Sequence, residues 1–424
     1  MPPGPSSAPD PVAVVALPSV RRRITAVLIA SQILGGLGVA IGIALASVLA
    51  QEVSGTEALS GLAPTSMVAG TALLSMPLAA LMTARGRRPG LVLAYVIGAA
   101  GAGVVVLAAV AGSFPLLLVG MAAFGAGSSA NLQARFAAAD LAEPAHRGRA
   151  ISTVVWATTI GAVLGPNIAA PAGRSVTGMG VPAAAGPFLW AAGVFLVSAV
   201  MVAVLLRPDP LLTARALAAG TGEDAEGKRG RSLRAGIRAV RESPRARLAL
   251  VTVTASHTTM VSIMSMTPVA LSHHGAGIQL IGLVISGHIA GMYAFSPVMG
   301  WLSDKLGRLS VIGLAVGLLS CAALLAGTAG GSHGRTAAGL FLLGLGWSAG
   351  LVSGSALLTD SVPQAARAAV QGLSDLTMNT AAGVGGAAAG LIVAGAGYGW
   401  LNAVGACLLL PLAVLALRSL SKDR

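Results

Sequence analysis

Long apolar stretches alternate with short polar breaks along the whole chain. A helix needs about 20 mostly apolar residues to cross the hydrocarbon core of a bilayer, so each stretch predicts one transmembrane helix. The predicted spans, numbered 1 to 12 in chain order, cover residues 24–50, 62–83, 90–111, 114–136, 150–172, 187–206, 248–271, 279–302, 309–328, 336–359, 368–394 and 399–417. The longest polar break follows span 6. The pattern therefore predicts an all-α membrane protein with twelve transmembrane helices in two six-helix halves.

The polar breaks also set the domain boundaries. Residues 1–23 are expected to form a disordered cytosolic tail, because their basic cluster follows a short apolar piece, the reverse of a signal peptide. Residues 24–206 and 248–417 are the two halves. Between them, residues 207–247 carry ten Lys or Arg and five Asp or Glu, which predicts a flexible cytosolic linker with a surface helix in its second half. Residues 418–424 are expected to be a second cytosolic tail.

Composition agrees with a membrane protein. Apolar residues make up 55% of the 424-residue chain and charged residues 10%, and the mean hydropathy is +0.83. The 57 glycines suit close helix packing in a bilayer. Cys321 and Cys407 fall in different spans, so they predict no disulfide and are interpreted as small apolar residues.

The positive charge lies almost entirely on one side of the predicted bundle. A net charge of +13 would indicate nucleic-acid binding in a soluble domain. Here the basic residues lie in the loops, and they indicate the orientation of the protein in the membrane. The basic loops contain Arg21 to Arg23, Arg85, Arg87, Arg88, Arg147, Arg149, the linker cluster, Lys305, Arg308, Arg367, Arg418, Lys422 and Arg424. The opposite loops hold only Arg174 and Arg335 among cations. This predicts a multi-pass protein of a bacterial-type cytoplasmic membrane with both termini in the cytoplasm.

A local repeat links the two halves. LMTARGRRPG follows span 2 and LSDKLGRLSV follows span 8, with Gly86 matching Gly307 and Arg87 matching Arg308. A tight turn that needs glycine, flanked by basic side chains, suits a short cytosolic connection between antiparallel helices. The pattern thus favours two parallel structural repeats around a central substrate path.

The second copy, GWLSDKLGR, resembles the loop signature of the major facilitator superfamily, which normally appears in both halves. The first copy departs from it, with Thr83 in place of the acidic residue and Ala79 in place of the first glycine. The resemblance implies the superfamily fold and transport by alternating access. If the acidic residue stabilises one closed state, that role is expected to rest on Asp304 alone.

Span 5 contains GAVLGPNIAAP. Gly161 and Gly165 give a small-xxx-small face for close helix contact, and Pro166 removes a backbone donor and predicts a kink. The segment resembles the antiporter motif of drug/proton exchangers, although Ala169 and Ala170 stand where that motif prefers glycine. A tightly packed bent helix with no bearing on transport direction explains it equally well.

A few charged side chains fall inside or near the spans. Asp375 in span 11 lies well within an apolar run, and such a residue is a functional candidate by default. It is a candidate to carry a coupling proton or balance a bound cation, while a structural hydrogen-bonding role is equally compatible. Arg135, near the cytosolic end of span 4, is a candidate to pair with Asp140 or to gate the path.

Histidine and methionine recur at helical spacing in spans 7 and 8. Residues three, four and seven apart share one helix face, so His257, Met260 and Met264 form one stripe, and His288 and Met292 form another. Thioether and imidazole groups suit a soft or borderline metal such as Cu(I). Methionine is also a common filler of irregular cores, and packing explains the same stripes.

The MxxxM of span 7 and the HxxxM of span 8 resemble the CcoA-type copper importers, a bacterial branch of the facilitators. In that family these motif residues are taken to bind the metal, which implies Met260, Met264, His288 and Met292 as ligands here. His257 and Met266 are added from helical geometry alone.

Together these features predict a secondary active transporter working by alternating access, with copper import through spans 7 and 8 as the favoured function. Proton-coupled efflux of drugs or other small amphipathic compounds is the alternative. No nucleotide-binding loop, HExxH or catalytic triad indicates an enzyme, and no cofactor is expected, because copper enters as substrate. The expected partners are a small solute or metal ion and the lipid membrane, without nucleic acid, and the expected functional unit is a monomer.

Overall fold

The computed structural model describes residues 11–56, 59, 61–176, 178–219 and 233–415. The N-terminal half contains α1 (Pro11–Ala44), α2 (Ala46–Ser54), α3 (Leu62–Arg85), α4 (Arg87–Ala111), α5 (Phe114–Asp140), α6 (Arg147–Ser175) and α7 (Gly186–Leu205). The linker contains α8 (Pro210–Ala219) and α9 (Leu233–Glu242). The C-terminal half contains α10 (Pro244–His273), α11 (Ile278–Ile289), α12 (Ser296–Leu306), α13 (Arg308–Gly327), α14 (His333–Asp360), α15 (Arg367–Ala396) and α16 (Tyr398–Cys407).

These helices confirm the predicted fold class. Within the described residues, 11 helical segments are long and apolar enough to cross a membrane, and the bent α6 raises the number to 12. Span 1 comprises α1 and α2, and span 8 comprises α11 and α12. The chain is an all-α membrane protein of two six-helix halves.

Two boundaries differ from the sequence prediction. Residues 11–23, expected in the disordered tail, belong to α1, where Pro11 occupies a position that tolerates a missing backbone donor. The first part of the linker, expected to be flexible, forms α8, while α9 is the predicted surface helix. Residues 1–10, 220–232 and 416–424, which belong to the predicted tails and linker, lie outside the described residues.

The predicted kink of span 5 is present. Helix α6 bends by 52° between Gly165 and Asn167, at the proline that lacks a backbone donor. On the same helix, a Cβ added at Gly161 would lie 2.4 Å from the backbone nitrogen of Leu37, and one at Gly165 would lie 2.4 Å from the Cβ of Ala40. Glycine at both positions therefore permits the close approach of α6 to α1, as the small-xxx-small pattern predicts.

Span 8 is interrupted by a π-helical turn at Ala290–Ala294. This wide turn packs closely on α14. A Cβ added at Gly291 would lie 2.7 Å from the carbonyl oxygen of Phe341, and one at Gly344 would lie 2.4 Å from that of His288. The two glycines allow the backbones of α14 and of the turn to touch.

The halves meet along two related helix pairs, α3 with α15 and α6 with α12. A Cβ added at Gly372 would lie 2.3 Å from the Cβ of Ala79, and one at Gly300 would lie 2.0 Å from the Oγ of Ser152. In both cases this glycine belongs to the C-terminal half, and the contact of α6 with α12 has a second one, since a Cβ added at Gly148 would lie 2.8 Å from the carbonyl oxygen of Gly300. Gly372 provides the space that the first loop motif lacks because Ala79 replaces its glycine.

Candidate functional site

The ends of the helices that carry the basic loops, called here the basic side, are closed by contacts between the halves. The two matching turns that start this region both need glycine, since Gly86 has φ 96° and Gly307 has φ 89°. Each turn is followed at once by an arginine, and the two arginines begin parallel sets of ion pairs.

In the N-terminal half, Arg87 is fully buried. Its Nε donates to Oδ2 of Asp140 at 2.7 Å and its Nη2 to Oδ1 of the same residue at 3.2 Å, a bidentate pair. Its Nη1 donates to Gln133 Oε1 at 3.0 Å, and Nη2 also donates to Gln371 Oε1 in the other half. One guanidinium therefore links three helices across the boundary between the halves.

In the C-terminal half, Arg308 has the corresponding position. Its Nε donates to Asp360 Oδ2 at 3.3 Å, and Asp360 also pairs with Arg147 of the other half. Each half thus pairs the arginine after its turn with an aspartate at the end of a later helix, and each pairing extends into the opposite half.

The deepest of these contacts joins Arg135 to Asp375. Arg135 Nη2 donates to Asp375 Oδ1 at 2.7 Å, and Gln133 Nε2 donates to Oδ2 of the same carboxylate at 2.7 Å. The side chains of the ion pair are 2% and 1% exposed. The expected pair of Arg135 with Asp140 is wrong, because Asp140 is held by Arg87. The intramembrane acid instead accepts two hydrogen bonds from the opposite half.

Asp304 connects α12 to the start of α6. Its Oδ1 accepts from the backbone nitrogen of Gly148 and its Oδ2 from that of Arg149, both at 2.9 Å. A carboxylate at a helix N-terminus is favoured by the helix dipole and by the unpaired backbone donors there. Arg308 Nη1 also donates to Asp304, at 2.8 Å. The motif acid therefore bonds directly to the opposite half on the closed side.

The first loop motif lacks this acid, and the linker occupies the region instead. The hydroxyl of Thr83 donates within its own helix, to Ala79 O at 2.7 Å. From the linker, Asp209 Oδ2 accepts from the backbone nitrogen of Arg88 at 2.7 Å, and Arg215 Nη1 donates to the carbonyl of Thr83 at 2.8 Å. Helix α8 thus binds the turn that contains the incomplete motif.

Sequence reasoning missed two features of this side. Asp209 lies in a linker whose composition indicates only solvent exposure, so the sequence did not single it out. The repeated Asp-x6-Arg spacing was available, since Asp140 and Arg147 have the same separation as Asp360 and Arg367. Matching spacings at matching helix ends would have indicated paired ionic contacts in the two halves.

The predicted methionine ligands lie in the interior of the C-terminal half. Met260 is 3% exposed and Met292 7% exposed, and both belong to one apolar cluster that includes Trp347. Met264 is half-buried and packs against the same cluster, whereas Met266 is described only as half-buried.

The two predicted histidines have different surroundings. His257 is half-buried, and its Nδ1 accepts a hydrogen bond from Trp347 Nε1 at 2.8 Å. His288 is fully buried, and its Nδ1 lies 2.8 Å from the carbonyl oxygen of Leu340. Because a carbonyl only accepts, the geometry assigns the proton to Nδ1 and leaves the lone pair on Nε2. Among the described residues, that Nε2 has no hydrogen-bond partner.

The chain has two helical halves with matching turns, and ion pairs that cross between the halves close one side. This arrangement is typical of a membrane transporter. The chain matches the sequence model of the Major Facilitator Superfamily over residues 27–277 and 248–424. The protein belongs to this superfamily.

Its relatives are of the same kind. It is 38% identical over 403 residues to the uncharacterized MFS-type transporter YdeG of Bacillus subtilis (strain 168), covering 93% of this chain and 92% of the relative. It is 30% identical over 358 residues to the riboflavin transporter RfnT of Brucella anthropi, covering 84% and 85%. The crystal structure of the human organic anion transporter MFSD10 (TETRAN) has a TM-score of 0.72 at 19% identity, covering 93% of this chain and 99% of that chain, a likeness of fold alone.

Proposed function

We propose that this transporter imports copper as Cu(I) through a site formed by Met260, Met264, His288 and Met292. The observation that carries the proposal is the buried Nε2 of His288, which faces no hydrogen-bond partner among the described residues. Leaving a buried polar atom unpaired is costly, and a transient metal ion is one partner that would satisfy it.

The surroundings of this histidine support a metal ligand. Histidines that bind metals commonly donate their other ring N–H to a carbonyl or carboxylate, which fixes the tautomer and the ring orientation. The bond between His288 and Leu340 O has this form. Thioether sulfurs from Met260, Met264 and Met292 are soft and neutral, so they suit Cu(I) without placing a fixed negative charge in the bilayer.

Transport also requires the basic side to open. In our proposal this side faces the cytoplasm, as the loop charges predict. The ion releases into the cytoplasm after the pair of Arg135 with Asp375 separates. Protonation of Asp375 removes the charge that holds Arg135 and so couples opening to a proton.

Uptake of isotopically labelled copper by cells with and without the protein tests this function. Met264→Leu and His288→Leu are expected to abolish the uptake that depends on the protein. The Met264 exchange keeps volume and apolarity at a cost in stability under about 1.5 kcal/mol. Met299→Leu is the control, because Met299 is a buried methionine of the same half, at 6% exposure, that lies outside both motifs. Wild-type copper accumulation by both motif variants at equal membrane levels would refute the proposal.

A second candidate is a planar aromatic solute. RfnT, at 30% identity, is a riboflavin transporter, and the C-terminal half carries an aromatic group beside the methionines. Tyr293 and Trp347 pack edge to face with ring centroids 5.5 Å apart, and Trp347 also donates to His257. Aromatic side chains contact other flat rings by offset stacking or edge to face, which suits a planar aromatic solute.

Labelled riboflavin, supplied in parallel with copper, separates the two functions. Riboflavin uptake that is lost in Tyr293→Leu and kept in Met264→Leu would favour the aromatic solute. Copper uptake that is lost in Met264→Leu and kept in Tyr293→Leu would favour the metal.

A further inference from the structure

A cavity of about 490 Å³ lies on the basic side, outside the region that holds the methionines. It is bounded by the turn between α5 and α6, by the turn between α14 and α15, and by parts of α1 and α8. Its polar lining comprises Arg21, Arg147, Arg367, Gln364, Asp140 and Glu143. Ligand sites commonly have volumes of about 300 to 1,000 Å³, so the space suits a small molecule or a headgroup.

The two carboxylates of the lining already have cationic partners. Asp140 is bound by the buried Arg87, and Glu143 accepts from Arg21 at 2.5 Å. The Arg21 guanidinium beside Glu143 holds the pKa of that carboxyl below its usual value, so it stays ionised. Neither acid is available to neutralise another arginine.

The arginines of the lining are less well matched. Arg147 pairs with Asp360, which also serves Arg308. Arg367 donates to Gln364 Oε1, and within the described ranges no carboxylate lies at ion-pair distance from it. Three lining arginines therefore face two lining carboxylates, and the half-buried guanidinium of Arg367 has no carboxylate in direct contact among the described residues.

Among the described residues, four that line the cavity carry a hydrogen-bond donor without an acceptor. The Nε atoms of Arg21, Arg147 and Arg367 and the Nε2 of Gln364 are buried and have no hydrogen-bond partner in the described part of the chain. Arg147 is only 8% exposed as a whole residue. Buried donors normally find acceptors, so four unpaired donors on residues that line one cavity favour an acceptor group there with several oxygens.

The backbone adds to this preference. Helix α15 begins at Arg367, so the positive end of its dipole lies at the cavity, whereas the N-terminus of α6 is already bound by Asp304. Helix N-termini and arginine forks are the usual partners of phosphate oxygens.

We propose that this cavity binds a phosphate-type anion and that binding holds the basic side closed. Arg147 and Glu143 belong to the N-terminal half, whereas Arg367 and Gln364 belong to the C-terminal half. The complete site therefore exists only while the halves are in contact here. A ligand that binds one of two conformations shifts the population toward it. The anion is distinct from the transported solute, and its binding slows the opening of the basic side.

The test measures how readily this side opens. Ser152 is 1% exposed and lies in the contact with Gly300, so a cysteine placed there by Ser152→Cys reacts with a maleimide only when the halves separate. Cys321 and Cys407 are first replaced by alanine, because both are free and exposed. The labelling rate of the purified full chain is then followed with inorganic phosphate, and with chloride at equal ionic strength.

An anion that binds only the closed form lowers the open fraction roughly tenfold at ten times its Kd. Phosphate is expected to slow labelling saturably, and chloride is not. Arg367→Gln should abolish the protection, and Arg335→Gln, an exposed arginine on the opposite side, should keep it. If Arg367→Gln does not fold, Arg21→Gln is the second variant, since it removes a lining cation and frees the Glu143 charge.

The source of the anion is distinguished in vesicles. Protection by phosphate in detergent indicates a soluble ligand, and protection only in vesicles containing phosphatidylglycerol, against phosphatidylcholine alone, indicates a lipid headgroup. Equal protection by chloride, protection that survives Arg367→Gln and Arg21→Gln, or no protection by phosphate or phosphatidylglycerol would overturn the proposal. Copper uptake is not part of this measurement, so its outcome does not depend on the transported solute.

Discussion

The buried pair of Arg135 with Asp375 should control the closure of the basic side. Asp375→Asn removes the negative charge and leaves the arginine almost fully buried without an ionic partner. Breaking a buried ion pair by removing one member costs about 3–5 kcal/mol. Because about 1.4 kcal/mol corresponds to a factor of ten, the closed state should lose roughly 100-fold to 4,000-fold against a state in which Arg135 is hydrated.

The cost comes from the arginine that remains, so removing it should reverse the effect. In the double variant Arg135→Met with Asp375→Asn, no unpaired charge is left, and the asparagine oxygen still accepts from Gln133. We expect the double variant to close much better than Asp375→Asn alone. That non-additivity distinguishes an ion pair from a simple packing defect.

The assay is maleimide labelling of Ser152→Cys in the background without native cysteines. Asp375→Asn should label much faster than the parent, and the double variant should return toward the parental rate. Glu242→Gln is the matched control, since the pair of Glu242 with Arg238 is 3.3 Å long but 69% and 79% exposed and such pairs contribute about 0.5 kcal/mol or less. Parental labelling in folded Asp375→Asn protein, or equal labelling in the single and double variants, would refute the reasoning.

Four further outcomes test the contacts of the basic side and the topology. Asp304→Asn should lower the transport rate at unchanged substrate affinity, because the acid bonds a helix N-terminus far from the solute, and a change in affinity alone would contradict this. Asp209→Ala should reduce stability by about 0.5–2 kcal/mol, as for a lost N-cap. Asp209→Asn should fall between the wild type and Asp209→Ala in thermal unfolding, because its single oxygen can keep the cap at Leu211 but not also the bond from the backbone nitrogen of Arg88. Gly372→Leu should leave the basic side open, seen as fast labelling, because its Cβ alone meets Ala79 at 2.3 Å. A cysteine at position 55 should label from outside intact cells, and labelling at position 228 would contradict the proposed topology.

The sequence predicted those features that depend on short-range rules. Length and hydropathy placed the spans, and the lack of a donor in Pro166 predicted the bend of α6. The glycines at positions 86 and 307 predicted the two tight turns. In each case the cause lies within a few residues of the effect.

The contacts between halves could not be predicted in this way. A span that is apolar all round does not indicate which face meets the opposite half. The partner of Asp375 was therefore open, and of the two roles considered for Arg135 the pair with Asp140 was wrong. Helix α8 was missed because its stability depends partly on Asp209 binding a turn more than a hundred residues earlier. The π turn was missed because the HxxxM spacing was interpreted with ordinary helical geometry.

That π turn changes what a four-residue spacing means in span 8. A π turn holds one residue more than an α turn, so span 8 carries a surplus residue within Ala290–Ala294, the segment that contains Met292. If the wide turn moves along the helix by one position, the residue it passes rotates about the axis by roughly 100°. The ends of the helix need not move for this to happen. Movement of the π turn along span 8 would therefore turn a side chain such as Met292 or Tyr293 toward or away from the interior, one residue at a time.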